Sequence, residues 1–190
     1  MKLSILILTM RERKGYLKRL KKILDPQVKP RWSDVEVLIQ HDDEHISSTV
    51  GAKRNALLAD AKGDYVCFID DDDIVSNDYV SNILESIQSD PDCCSLRGVI
   101  TTDNGEPYIF EHSIQYKEYR TNIDESPIKY ERYPNHLNAI KRSIAIKYKF
   151  PSTNFGEDTD WATQIFKGGD IKTEVAINSI MYHYLFNSKK

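Results

Sequence analysis

The sequence predicts an α/β fold: a parallel first half flanked by helices, with antiparallel additions in the second half. Three observations lead there. Apolar runs at residues 3–8, 35–39 and 65–69 suit strands buried on both faces. Helical segments alternate with them, giving the order β-α-β-α-β-α, which requires right-handed crossovers and a parallel sheet. After Cys93 that rhythm gives way to shorter extended runs around Asn104-Gly105, a hairpin turn signal.

Each element has its own warrant. Residues 3–8 (LSILIL) form the first strand, closed by Thr9. Over residues 16–24, Leu17, Leu20, Ile23 and Leu24 share one helical face while Lys18, Arg19, Lys21 and Lys22 point away, and Asp25-Pro26 is expected to stop the helix. Residues 35–39 (VEVLI) are the second strand, and residues 52–61 a helix ending at Gly63-Asp64. Residues 65–69 (YVCFI) run directly into Asp70, Asp71, Asp72 and Asp73. Ser76 is placed to cap a helix reaching Gln88, before Asp90-Pro91. Strands are expected at 95–102 and 107–113, with 115–120 continuing the antiparallel run, and helices at 139–147 and 157–167. The last helix is closed by Gly168-Gly169, and final strands are expected at 171–177 and 181–186.

Composition narrows the classes. The 190 residues are 40% hydrophobic and 29% charged, as in an ordinary soluble domain. No repeat or linker divides them, so a single domain over 1–190 is expected, with halves at 1–100 and 101–190. The net charge of −3 argues against a surface that is all nucleic-acid footprint. Basic residues nevertheless concentrate between Lys2 and Arg31, and acidic ones at 42–44, 70–73 and 157–160. The apolar start is too short to span a bilayer and no cleavage site follows. Cys67, Cys93 and Cys94 include no CxxC pair. Reduced thiols and a cytoplasmic protein are expected.

Four consecutive carboxylates at the end of a hydrophobic strand repel one another unless a cation neutralises them. Ligands of open α/β sheets bind just beyond the carboxyl ends of the strands. Oxygen donors there favour Mg²⁺ or Mn²⁺ together with substrate phosphates. An EF-hand loop starting at Asp70 fails, because Val75 and Ser81 stand where glycine and glutamate are required. A solvated acidic turn capping the next helix is the alternative.

The segment Gly51-Ala52-Lys53-Arg54-Asn55, then Ala61-Lys62-Gly63-Asp64, then residues 65–73, resembles the core of family-two glycosyltransferases of the GT-A fold. In that family an A-R-N helix start, an A-x-G-[DE] helix end and an F-[IL]-D-x-D-D strand end follow one another at this spacing. The resemblance implies a metal-dependent, inverting transfer from a nucleotide-sugar, with uridine diphosphate as the expected nucleotide. It places Thr9 and Arg11 at the base and phosphates, and Asp42 or Asp43 at the uracil ring. Here Glu44-His45 follows the two aspartates where the family has Gly-Ser. Lys53, Arg54 and Asn55 would face the nucleotide, with a surface role the alternative for Lys53. Asp70 and Asp71 would line the donor site, Asp70 contacting ribose or sugar, with Asp72 the main metal ligand and Asp73 a supporting carboxylate.

Gly156-Glu157-Asp158-Thr159-Asp160 resembles the family's G-E-D-x-D signature, which makes Asp158 the catalytic base and Glu157 its acceptor-binding or orienting neighbour. Acids in a first helical turn also answer the helix dipole. His183, on a late strand, occupies the place from which family members bring a histidine to the metal; a strand histidine between tyrosines would look the same. His136 and Trp161 are acceptor-side candidates, although Trp161 and Trp32 also suit the core.

Two other readings stay open. A nucleotidyltransferase would show a Gly-rich segment after the first strand, and residues 9–15 have the basic residues without those glycines; a P-loop is also missing. A non-catalytic nucleic-acid or sugar-binding module is the other. The acceptor is expected to be a glycan, a lipid-linked glycan or a hydroxylated base in DNA. The last is motivated by the basic run 11–22 and by Lys141, Arg142, Lys147 and Lys149. A monomer or simple dimer would suffice.

Overall fold

The computed structural model describes residues 1–42 and 48–188. Strand β1 (Leu3–Met10) leads into helix α1 (Lys14–Val28), β2 (Val35–Asp42), α2 (Val50–Asp60) and β3 (Tyr65–Phe68). Then follow β4 (Ile74–Val75), α3 (Tyr79–Ser86), β5 (Cys93–Cys94), β6 (Leu96–Thr102), β7 (Tyr108–His112), β8 (Arg120–Thr121) and β9 (Ile128–Arg132). The chain ends with β10 (Ile140–Lys141), α4 (Arg142–Ala145), α5 (Glu157–Gly168), β11 (Glu174–Val175) and β12 (Ile180–Phe186).

These strands make two mixed sheets. The first has the order β11-β5-β10-β3-β1-β2, with β2, β1 and β3 parallel and β10 running against its neighbours. The second has the order β4-β12-β6-β7-β9-β8. The expected parallel first half is present, and the period-2 geometry of its strands splits the core in two. Leu3, Ile5, Ile7, Tyr65 and Cys67 face the cluster that includes Leu20 and Leu24 of α1 and Ile83 of α3. Leu6, Val66 and Phe68 face the cluster that includes Leu57 of α2 and Trp161 and Ile165 of α5. Continuous apolar runs are what a sheet covered on both sides requires.

Several elements depart from expectation. Helix α1 does not stop at Pro26 but continues to Val28. Buried Gln27 anchors that last turn, because its side chain donates to Ser76 O (2.9 Å) and accepts from Val80 N (3.0 Å). Ser76 caps no helix; α3 begins at Tyr79, and Ser76 Oγ donates to Asp78 instead. The helix expected over 139–147 opens as strand β10, with Ile140 paired to both Val66 and Cys93, and keeps only one helical turn in α4. Residues 115–119 are not a strand, whereas Ile128–Arg132, read as no element from sequence, pairs in parallel with β7. Of 171–177 only β11 is extended.

Candidate active site

The carboxyl ends of β1 and β3 meet β12 of the second sheet at the aspartate turn. Past Phe68 the chain keeps its alternation. Asp71 and Asp73 turn inward, while the side chains of Asp70 and Asp72 stay 32% and 20% exposed. Asp73 accepts hydrogen bonds from Tyr182 Oη (2.8 Å) and Leu185 N (2.8 Å). Burial first, then the charge of Asp70, pushes its pKa above the usual carboxylate range. Asp71 is also raised by burial, against the pull of Thr9 and Arg13. One nitrogen of Arg13 lies 2.7 Å from Asp71 Oδ1 and 2.6 Å from Asp72 Oδ2, and Arg19 donates to the Asp72 carbonyl. Between these groups opens a cleft of about 390 Å³, lined by Thr9, Arg13, Lys53, Asp70, Asp72 and Tyr184 among others.

Arg54 ties the cleft to helix α5. Thr49 caps α2, its side chain accepting from Ala52 N, and Gly51 lets that helix end approach the backbone before α5. A Cβ at Gly51 would come within 1.8 Å of Pro151 O. Val50 N donates to Asn154 Oδ1 (3.1 Å) and Gly51 N to Thr153 O (3.1 Å), so the approach to α5 closes the start of α2. From α2, Arg54 reaches Asp70 Oδ1 (3.1 Å) with Nη2 and Glu157 Oε1 (3.1 Å) with Nε, and its guanidinium lies 5.1 Å from the Phe68 ring centroid. Burial alone would lower Arg54, but Asp70, Glu157 and Asp158 raise it above its ordinary value. Burial opposes the charge on Asp70 too. Arg54, then His136, outweigh it and hold that carboxyl well below the usual range.

A second, smaller cavity of about 130 Å³ adjoins the cleft and shares Asp70 and Tyr184 with it. Asp158, at the start of α5, lines it with a side chain that is 35% exposed. His136 stands between the two carboxylates, with Nε2 3.8 Å from Asp70 Oδ2 and Nδ1 3.6 Å from Asp158 Oδ2. Its loop is fixed from below: Phe68 N donates to His136 O (2.8 Å), and Asn138 Oδ1 accepts from Asn135 N (3.0 Å). Burial, and next the charge of Arg132, lowers His112 to a pKa of about 3, so that imidazole is neutral.

The structure gathers Thr9, Lys53, Arg54, Asp70, Asp71, Asp72, Glu157, Asp158 and His136 around these two cavities. Other sequence candidates are placed elsewhere. Asn55 clamps Phe150 with two hydrogen bonds, Nδ2 to its carbonyl (2.8 Å) and Oδ1 from its amide (3.0 Å), and so supports the fold rather than facing the cleft. Trp161 is buried and stacked on Phe150 at 4.6 Å, which removes it as an acceptor platform. Trp32 is 76% exposed, not core. His183 alternates with Tyr182 and Tyr184, which face the aspartates and the cavities; its Nε2 lies 3.1 Å from Thr101 Oγ1. Glu157 is sealed against Arg54, which suits orientation rather than acceptor contact. Arg11 is exposed, and Arg13, two residues on, reaches Asp71 and Asp72. Asp42 ends β2 in register with Met10, and Asp43 lies outside the described residues. Sequence reasoning missed Arg13, Arg132, His112, Tyr182 and Tyr184; only for Arg13 did a signal exist, in the basic run after β1.

Among the described residues no three His, Cys, Asp or Glu side chains are grouped as a ready cation cage. The donor set at the cleft still fits a hard divalent ion that draws its other ligands from substrate phosphate and water. Asp70 and Asp72 both open onto the cleft, and Asp70 is held ionised. Among the described residues no helix is long and apolar enough to cross a membrane.

The family model for glycosyl transferase family 2 matches residues 19–149. Among solved structures, S. aureus TarS is similar over 97% of this chain and 37% of its own, with a TM-score of 0.67 and 18% identity. TarS 1-349 in complex with UDP-GlcNAc is similar at 16% identity and a TM-score of 0.66, covering 97% of this chain and 58% of that one. The same fragment with UDP gives 16% identity and a TM-score of 0.67, covering 97% and 60%. The shared fold is GT-A, and this chain spans between 37% and 60% of the length of those structures. No curated protein sequence matches this chain.

Proposed function

This chain belongs to glycosyl transferase family 2, and we propose that it moves a sugar from a nucleotide-sugar to an acceptor hydroxyl with inversion at the anomeric carbon. One observation carries the reading: the cleft at the carboxyl strand ends and the cavity beside Asp158 meet at Asp70. A donor in the cleft and an acceptor in the cavity would present their reacting atoms to each other there. UDP is the proposed nucleotide, supported by the UDP and UDP-GlcNAc complexes of the similar TarS structures.

In this mechanism Lys53 and Arg13 line the cleft as cations for the diphosphate, and Thr9 closes it near the end of β1. Asp70 orients the sugar and is itself held ionised by Arg54. Asp72 with Asp70 would hold Mn²⁺ or Mg²⁺, which when bound stabilises charge on the departing diphosphate. Asp158 takes the acceptor proton as the hydroxyl oxygen attacks the anomeric carbon from the face opposite the leaving group. Glu157 fixes Arg54, and His136 keeps the Asp70 and Asp158 carboxylates apart. The acceptor is a hydroxyl on a glycan, a lipid-linked glycan or a hydroxylated base.

Calorimetric titration of UDP with and without Mn²⁺, repeated on Asp72→Asn, tests the donor half. Metal-dependent binding that disappears in the variant is expected. Failure of UDP, guanosine and deoxythymidine diphosphates to bind would overturn the reading.

A further inference from the structure

The cavity beside Asp158 carries a charge that a neutral sugar does not need. Arg132, the last residue of β9, is half-buried and lines this cavity, its guanidinium 4.5 Å from the Tyr119 ring centroid. Among the described residues no carboxylate forms an ion pair with it at an N···O distance of 4.0 Å or less. The nearby acids are engaged elsewhere: Glu111 with Arg97 at 2.6 Å and Glu131 with Arg120 at 3.1 Å, while of the two carboxylates at the cavity Asp70 meets Arg54 at 3.1 Å and Asp158 faces His136 at 3.6 Å. An arginine cannot relieve its position by losing its proton. A half-withdrawn charge without a counter-ion is unfavourable until a ligand supplies one. Burial makes the adjoining His112 a poor cation, and among the described residues lining the cavity Arg132 is the one arginine or lysine. Apolar side chains, Ile100, Phe110 and Leu137, line the same cavity, and Asp158 stands there too. About 130 Å³ leaves room for one small anionic group and a few carbons.

We propose that this cavity selects an acceptor whose reacting hydroxyl is carried close to an anionic group, phosphate or carboxylate, which Arg132 binds. The fork of the guanidinium matches the paired oxygens of either group. The proposal rests on reading the cavity as the acceptor side of the transferase, and it names the acceptor class for that site.

The test uses three-carbon probes that differ only in charge: glycerol 3-phosphate, glycerate and glycerol. Each is titrated into the ¹⁵N-labelled full chain, with and without UDP and Mn²⁺, following chemical shifts of residues lining the cavity. At least one anion is expected to bind roughly tenfold or more tighter than glycerol, as a charge-assisted pair implies. The two anionic probes separate phosphate from carboxylate. Arg132→Met should abolish that preference while leaving UDP affinity unchanged, and Arg132→Lys should keep part of it. If Arg132→Met does not fold, Arg132→Gln serves in its place. Equal binding of charged and neutral probes, no binding of either anion, or a preference that survives loss of Arg132 would overturn the proposal. Loss of UDP binding in the wild type would instead overturn the donor reading, since the anion titrations without UDP decide the role of Arg132 separately.

Discussion

Replacing Arg54 with methionine leaves two carboxylates that this side chain holds, and the consequences can be worked from the geometry. Glu157 is 5% exposed and its Oε1 receives Arg54 Nε at 3.1 Å. Removing one partner of such a buried pair costs about 3–5 kcal/mol, because the other charge is left without compensation. The Asp70 arm adds less, since that side chain is 32% exposed and water screens it. Methionine keeps much of the apolar stem and gives up the guanidinium, with its contact over the Phe68 ring, so the loss is chiefly electrostatic. Urea denaturation at pH 7 reads the free-energy loss, and in thermal denaturation at the same pH the midpoint temperature should fall by about 6–20 °C, at roughly 2–4 °C per kcal/mol for a chain of this size. Adding Glu157→Gln in the same background removes the orphaned charge and should recover a large part of the stability. A loss below about 1 kcal/mol, or no recovery in the double variant, would refute the reasoning that Arg54 is the counter-charge of α5.

Three further outcomes are expected. Asp158→Asn should lower transfer roughly 10²–10⁴-fold while UDP affinity stays unchanged, since the group removed handles a proton and not the donor; parallel turnover and calorimetric measurements decide it. Gly51→Ala places a Cβ within 1.8 Å of Pro151 O and should destabilise the chain by about 3 kcal/mol or more by urea unfolding, with weaker UDP binding as Lys53 and Arg54 shift. His112 is neutral in the fold down to about pH 3 but takes a proton in the unfolded chain below its ordinary value of 6.5. The unfolded state therefore binds more protons throughout that window, and stability falls as pH falls from 6.5 towards 3. The loss from this group is about 1.4 kcal/mol per pH unit well inside the window. His112→Gln should flatten the slope measured between pH 6.5 and 4.5, and an unchanged slope would assign the acid sensitivity elsewhere.

What could be read from the chain alone shares one property: it is written over contiguous residues. Continuous apolar runs at β1 and β3 mark strands covered on both faces, and the helix order between them follows from spacing. The aspartates at the end of β3 and the acids that open α5 announce ligand chemistry because like charges do not collect without a cause. Elements held by distant partners left no such record. Helix α1 survives Pro26 because Gln27 is bonded to Ser76 and Val80, and β10 exists because Ile140 slots between two other strands. Which of two basic residues after β1 meets the aspartates depends on the tight turn Arg11–Arg13 that carries them. Alternation along β12 shows that His183 and its flanking tyrosines face opposite ways, yet only the packing of one sheet against the other decides which face meets Asp73. The two-way hold of Arg54 joins residues 103 positions apart, and that Arg132 forms no ion pair among the described residues is visible only once Glu111 and Glu131 are seen to pair with Arg97 and Arg120. Local periodicity records how each segment is covered; the order in which charges are paired across the fold is a property of the folded whole.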